Sequence, residues 1–96
     1  MSVYMIARVR VSDETRFAEY AKRAGPSAQK YGGRYLARGG ECQTMEGPHI
    51  ERNVISVWPS MEQALKWYHS AEYQEAKSFR DGAAEMQLCF VEGIED

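Results

Sequence analysis

Long apolar runs are missing from this chain: none approaches the roughly 18 residues that a membrane-crossing helix needs. A basic stretch leading into a leader-like apolar block is also missing from the N-terminus. The expectation is a soluble, cytoplasmic protein with no membrane partner. Cysteine is scarce, with Cys42 and Cys89 far apart and in no metal or redox spacing. Both are expected as reduced, mostly buried thiols. Neither sign of charge dominates: 12 basic residues face 14 acidic ones, and no segment gathers Lys or Arg. That balance excludes a protein that tracks nucleic-acid phosphates. The two histidines, His49 and His69, have no close spacing to each other, so zinc and haem find little support, and no metal or cofactor is expected. No Ser-His-Asp order and no phosphate-binding glycine loop is present either.

What remains is a chain of 96 residues, enough for one domain over 1–96 that hides about two-thirds of its surface on folding. Val3, Met5, Ala7, Val9 and Val11 alternate with Tyr4, Ile6, Arg8 and Arg10, which is the period of a strand. Ser12 or Asp13 can cap a following helix whose apolar stripe is Phe17, Tyr20, Ala21, Ala24, Ala28 and Tyr31. Gly25-Pro26 interrupts the stripe, so a kink or two tandem helices are expected there. Gly32-Gly33 ends the element. A second strand covers about Arg34 to Ala37, with Arg34 and Arg38 on one side and Tyr35 on the other. It is expected to bulge at Gly39-Gly40 and to resume as Cys42 to Met45.

Gly47-Pro48 turns the chain into a third strand, about Arg52 to Trp58, and Pro59 stops it. Ser60 caps a helix with Met61, Ala64, Leu65 and Tyr68 facing inward. Ser70, a second capping residue, suggests a break and a fresh helical piece with Tyr73, Ala76 and Phe79 or Arg80. Met86 to Val91 alternates as a fourth strand. The order β-α-β-β-α-β defines an α+β, ferredoxin-like fold with a four-stranded antiparallel sheet. Right-handed crossovers place the first and third strands at its centre. Both helices then lie on one face, and Tyr4, Ile6, Val54 or Ile55, and Trp58 are left as a bare apolar patch on the other. A homodimer packed through that face is the expectation.

The segments Lys30-Tyr31-Gly32-Gly33-Arg34, Arg38-Gly39-Gly40, Pro59-Ser60-Met61-Glu62, Trp67-Tyr68, Ser70-Ala71-Glu72-Tyr73 and Val91-Glu92-Gly93 resemble the DUF1330 family, a domain of unknown function. The resemblance spans nearly the whole chain. It implies a dimeric α/β barrel, in which two four-stranded sheets close on each other with helices outside. Similar barrels include cofactor-independent monooxygenases, dehalogenating enzymes, haem-degrading enzymes and stress-response proteins, so the fold alone implies no reaction. Arg8 and Arg10 depart from the pattern, standing where acidic residues are expected.

Candidate chemistry centres on Arg38, placed before a glycine pair that leaves open space, where a guanidinium can grip a carboxylate in a two-pronged way. A salt bridge to a glutamate is the competing use. Tyr35, Trp67, Tyr68 and Tyr73 are candidates for an aromatic pocket between sheet and helices, though Tyr68 and Tyr73 also fit the core stripe. Trp67, off that stripe, reads as an interface residue or a lid. His69, at the break between helical pieces, is the candidate for proton exchange, against hydrogen bonding to a free helix-end carbonyl. His49 reads as a solvated loop residue. Three functions are compatible with these residues: binding of a small aromatic or apolar carboxylate, cofactor-independent oxygenation or isomerisation of an activated phenol or enol, and a non-catalytic structural or partner-binding dimer.

Overall fold

In the computed structural model, which describes residues 2–94, seven elements follow one another: β1 (Val3–Val11), α1 (Glu14–Lys30), β2 (Arg34–Arg38), β3 (Arg52–Trp58), α2 (Met61–Tyr68), α3 (Ala71–Arg80) and β4 (Ala84–Glu92). The strands form one antiparallel sheet in the order β2-β3-β1-β4. This is the expected ferredoxin-like arrangement with β1 and β3 at the centre and the second helical element divided in two. Three side-chain caps start the helices: Asp13, Ser60 and Ser70 each accept a backbone N–H three residues on, at 3.1 Å.

Helix α1 runs through Gly25-Pro26 as one element, so the tandem-helix alternative does not hold. Packing explains the continuity. Ala24, Gly25, Ser27 and Ala28 are all buried, and Trp67 Nε1 donates to Ser27 Oγ at 3.0 Å. Tertiary contacts of this kind outweigh one lost helical hydrogen bond.

Strand β2 ends at Arg38 and does not resume over 42–45. Gly39 takes a positive φ of 72° and its N–H makes a last bond to Asn53 O, at 2.9 Å. From there the chain leaves the sheet as an irregular loop through residue 51. The bulge lies inside the strand, between Tyr35 and Ala37, rather than at Gly39-Gly40. It shifts the side-chain alternation by one residue, so Tyr35 and Arg38 project from the same face and not from opposite ones.

The helix-covered face carries the core. Val3, Met5, Ala7 and Val9 of β1 meet Phe17, Tyr20, Ala24 and Ala28 of α1 and Ala64, Trp67, Tyr73 and Ala76 of α2 and α3. Trp58 belongs to this face as well, at 1% exposure, and not to the bare one. The register pairs Trp58 with inward-facing Val3, and its Nε1 donates to Ser56 Oγ at 2.9 Å. The indole lies flat on Gly33: a Cβ there would fall 2.6 Å from its ring. That close approach is the physical reason for a glycine at this position.

Opposite lies the bare face, with Ile6, Ile55 and Val91 between 37% and 45% exposed. Cys89 is exposed there too, because its strand position points away from the helices; Cys42 is half-buried. Arg8 and Arg10 occupy the far end of the same face, where Arg8 Nε donates to Asn53 Oδ1 at 3.1 Å and Arg10 reaches His49 O at 3.5 Å. The slab is only 16 Å thick against 37 and 36 Å in its other extents, as expected for one sheet and one helical layer. None of the described helices is long and apolar enough to cross a membrane.

Candidate functional site

Between α1 and the sheet lies a cavity of about 40 Å³, lined in part by Tyr35 and Arg38 of edge strand β2. Its apolar wall is built from inward positions of three strands, Met5, Ala7, Val9, Val54, Met86 and Leu88, together with Phe17, Ala21 and Ala24 of α1. Tyr20, Tyr35 and Trp67 add aromatic surface, and Arg38 and Arg52 are the charged residues among the described ones that line it. Space of this size holds about three waters, or a tail of a few heavy atoms.

Both arginines lie against glycine backbone. The Arg38 guanidinium rests on Gly25 of α1, where a Cβ would come within 3.1 Å of Nη2. Arg52 rests on Gly39, with Nη1 at 3.1 Å from the corresponding point. Gly39 therefore does clear space for a guanidinium, but for that of Arg52. Each cation also faces an aromatic ring: Arg38 Cζ is 4.6 Å from the centre of Tyr35, and Arg52 Cζ is 4.9 Å from that of Phe17.

Among the described residues the ion pairs are Lys22–Glu19, Arg23–Glu19 and Lys30–Glu72, so neither Arg38 nor Arg52 meets a carboxylate. The salt bridge considered for Arg38 is not formed with any described glutamate. Arg52 Nε is buried and has no hydrogen-bond partner among the described residues. A buried donor costs about 1–3 kcal/mol while it stays unpaired, and more on a charged group.

Of the residues singled out from sequence, the structure brings Tyr35, Arg38 and Trp67 together at this cavity. Trp67 is a buried wall, 2% exposed, rather than an interface residue or a lid. Tyr73 stands behind it, ring centres 4.2 Å apart, and is fully buried. Tyr68 and His69 lie elsewhere, in a shallow groove with Met61, Leu65 and Phe90 beside edge strand β4. The His69 ring is exposed and meets Tyr68 edge-on at 5.3 Å. His49 sits in the 39–51 loop, 2.7 Å from Thr44 Oγ1 through Nδ1.

Two lining residues escaped sequence reasoning. Arg52 was readable only as the first residue of a strand; its inward phase, shared with Val54, was the available signal. Tyr20 was placed on the core stripe, where it does lie, but its hydroxyl continues into a polar network. Tyr20 Oη is 2.9 Å from Tyr73 Oη, and Arg80 Nη1 lies 3.4 Å and 3.2 Å from the two oxygens. Burial, first, and then the neighbouring Tyr73 push the Tyr20 phenol far above its ordinary value, so it stays protonated. Burial also raises Tyr35, opposed by the cation of Arg38. Among the described residues no cluster of three His, Cys, Asp or Glu is placed to hold a metal.

An antiparallel four-stranded sheet under one helical layer, with a small cavity between the two, defines a ferredoxin-like α+β domain. The chain matches the family described as "Domain of unknown function (DUF1330)" over residues 2–94, and it belongs to that family. Its fold is similar to that of a protein of unknown function from Rhodopseudomonas palustris, at 21% identity and a TM-score of 0.81 over 99% of this chain and 84% of that one. It is also similar to SnoaB, a cofactor-independent oxygenase from Streptomyces nogalater, at 11% identity and 0.69 over 99% and 95%. A third is an ethyl tert-butyl ether d (ethd) family protein from Bacillus halodurans, at 17% and 0.63 over 98% and 100%. At these identities the likeness is one of fold. No curated protein matches the chain.

Proposed function

We propose that this protein binds a short carboxylate, its charged end between Arg38 and Arg52 and its apolar end in the cavity between α1 and the sheet. The observation that carries this reading is a pair of guanidiniums at one apolar cavity, neither with a carboxylate among the described residues and one with a buried Nε unbonded among them. A carboxylate supplies what both lack, since charge-assisted bonds to arginine are short, strong and often two-pronged. The volume selects within the carboxylate class. A cavity of about 150 Å³ accommodates a benzene-sized guest, whereas about 40 Å³ suits a short aliphatic tail.

Such a molecule is intracellular cargo or substrate for a protein with two free thiols, in keeping with a cytoplasmic setting. The working assembly is a homodimer through the bare sheet face, because Tyr4, Ile6, Ile55, Val57 and Val91 leave apolar side chains without a cover. The oxygenase or isomerase reading has less behind it here, since His69 is in a different groove from the cavity.

Titration with propionate, butyrate and pentanoate, followed by amide chemical shifts, tests the proposal. The expected result is saturable shifts at Gly25, Tyr35, Arg38 and Arg52, with Arg38→Met and Arg52→Met each weakening binding at least tenfold. Equal response of wild type and both variants to every acid would remove it.

A further inference from the structure

We infer that the Tyr20 hydroxyl is a second polar anchor in the same cavity, so that the ligand carries a carbonyl or hydroxyl oxygen on its tail as well as a carboxylate. This rests on the carboxylate reading above and narrows it to oxo or hydroxy acids. Two phenols and one guanidinium meet in this network. Arg80 only donates, and its Nη1 faces the oxygens of both Tyr73 and Tyr20. The Tyr20–Tyr73 bond, 2.9 Å long, uses one of the two phenolic protons. The other has no acceptor among the described residues.

Its location follows from burial. Tyr73 is 0% exposed, so a proton left on its oxygen would be stranded at a cost of about 1–3 kcal/mol. Tyr20 lines the cavity, whereas Tyr73 is not among its lining residues. The network therefore runs from Tyr73 to Tyr20 and from Tyr20 into the cavity. Arg80 reinforces that direction. It has no ion-pair partner among the described residues, its Cζ lies 5.1 Å from the centre of the Tyr20 ring, and it holds Met86 Sδ of the cavity wall at 2.8 Å. Its charge, set against both phenol oxygens, makes the free hydroxyl a stronger donor. Because burial keeps Tyr20 protonated, the group remains a donor across the physiological pH range.

A site built to hydrogen-bond a guest's oxygen discriminates against the analogue lacking it. The test compares 2-oxobutyrate and 3-hydroxybutyrate with butyrate, and 4-oxopentanoate with pentanoate, on the wild-type chain and on Tyr20→Phe. At least one oxygenated acid should bind wild type about fivefold or more tightly than its parent, and the ratio should fall to near one in Tyr20→Phe. In wild type, the Tyr20 ring resonances should shift with that oxygenated acid more than with its parent, a readout that does not depend on the variant folding. No preference in wild type for any oxygenated acid, or an undiminished preference in Tyr20→Phe, would overturn the inference. If all five acids bind alike and Arg38→Met weakens them all, the carboxylate reading stands and this one falls. If none binds, both fall.

Discussion

Strand β1 presents two different surfaces from one stretch of backbone. Toward the helices it places Val3, Met5, Ala7 and Val9, none more than 5% exposed. Toward the other side it places Tyr4, Ile6, Arg8 and Arg10, of which Ile6 is 40% exposed. The neighbouring strands repeat the contrast: Trp58 and Phe90 pack on Trp67, while Ile55, Cys89 and Val91 face outward. Hydrophobicity therefore does not separate the two faces; cover does. The covered face also changes character along its length. Near Trp58 it is close-packed, and near Arg38 and Arg52 it opens into the cavity. The bare face grades from apolar at Tyr4 and Ile6 to charged at Arg8 and Arg10, so a partner sheet would meet an uneven surface.

Truncating the covered face should have the largest effect. Trp58→Ala removes a side chain that stacks on Trp67 at 4.9 Å and fills the space over Gly33. A loss of about 3–5 kcal/mol in denaturant unfolding is expected; a loss below 1 kcal/mol would show that this packing is not the core. The bare face should behave in the opposite way. Ile6→Glu and Ile55→Glu introduce charge where the side chain is already over one-third exposed, so monomer stability should change by less than about 1 kcal/mol. Their effect should appear in sedimentation at micromolar concentration, as a shift from dimer to monomer. A wild type that is monomeric under those conditions would break the comparison, because the face would then tolerate water.

The smallest effect concerns the α1–α3 surface. Hydrogen bonds from Lys30, first, and from Tyr31 hold the Glu72 carboxyl below its ordinary value of 4.5. A lowered folded-state pKa means stability present above the ordinary value and lost as pH falls through the folded one. Wild type should thus melt slightly above Glu72→Gln at pH 7, and the difference should vanish in strong acid. A gap that persists at low pH would assign the contribution to shape instead of charge. Both groups are solvated, so the gap is expected to be small.

Much of this architecture was readable in the residues. Ser60 and Ser70 marked the two helix starts because their hydroxyls satisfy free N–H groups in any context. Alternation along β1 assigned its two faces correctly, since period two needs no information from elsewhere. Trp58 was misplaced for a related reason: β3 is apolar at Val54, Ile55, Val57 and Trp58, on both phases, and only pairing with β1 chooses between them. The candidate site was legible in part. Arg38 and Tyr35 stood out by type, but their shared face depends on a bulge that no local signal marks. Arg52 and Tyr20 looked like ordinary strand and core residues until the tertiary contacts placed them together.

Sequence alone determined the order of elements, the helix caps, the central position of β1 and β3, and the surplus of apolar side chains beyond what one helical layer can hide. These are consequences of short-range periodicity, chain connectivity and composition. Tertiary structure alone decided that Arg38 lies on Gly25, that Arg52 lies on Gly39 with an unbonded Nε, and that Tyr20 shares its proton network with Tyr73 and Arg80. Those contacts join residues up to 60 positions apart, between Tyr20 and Arg80. The Arg38 contact depends on a one-residue register shift in β2, which turns a side chain to the other face without changing the local propensity of the strand.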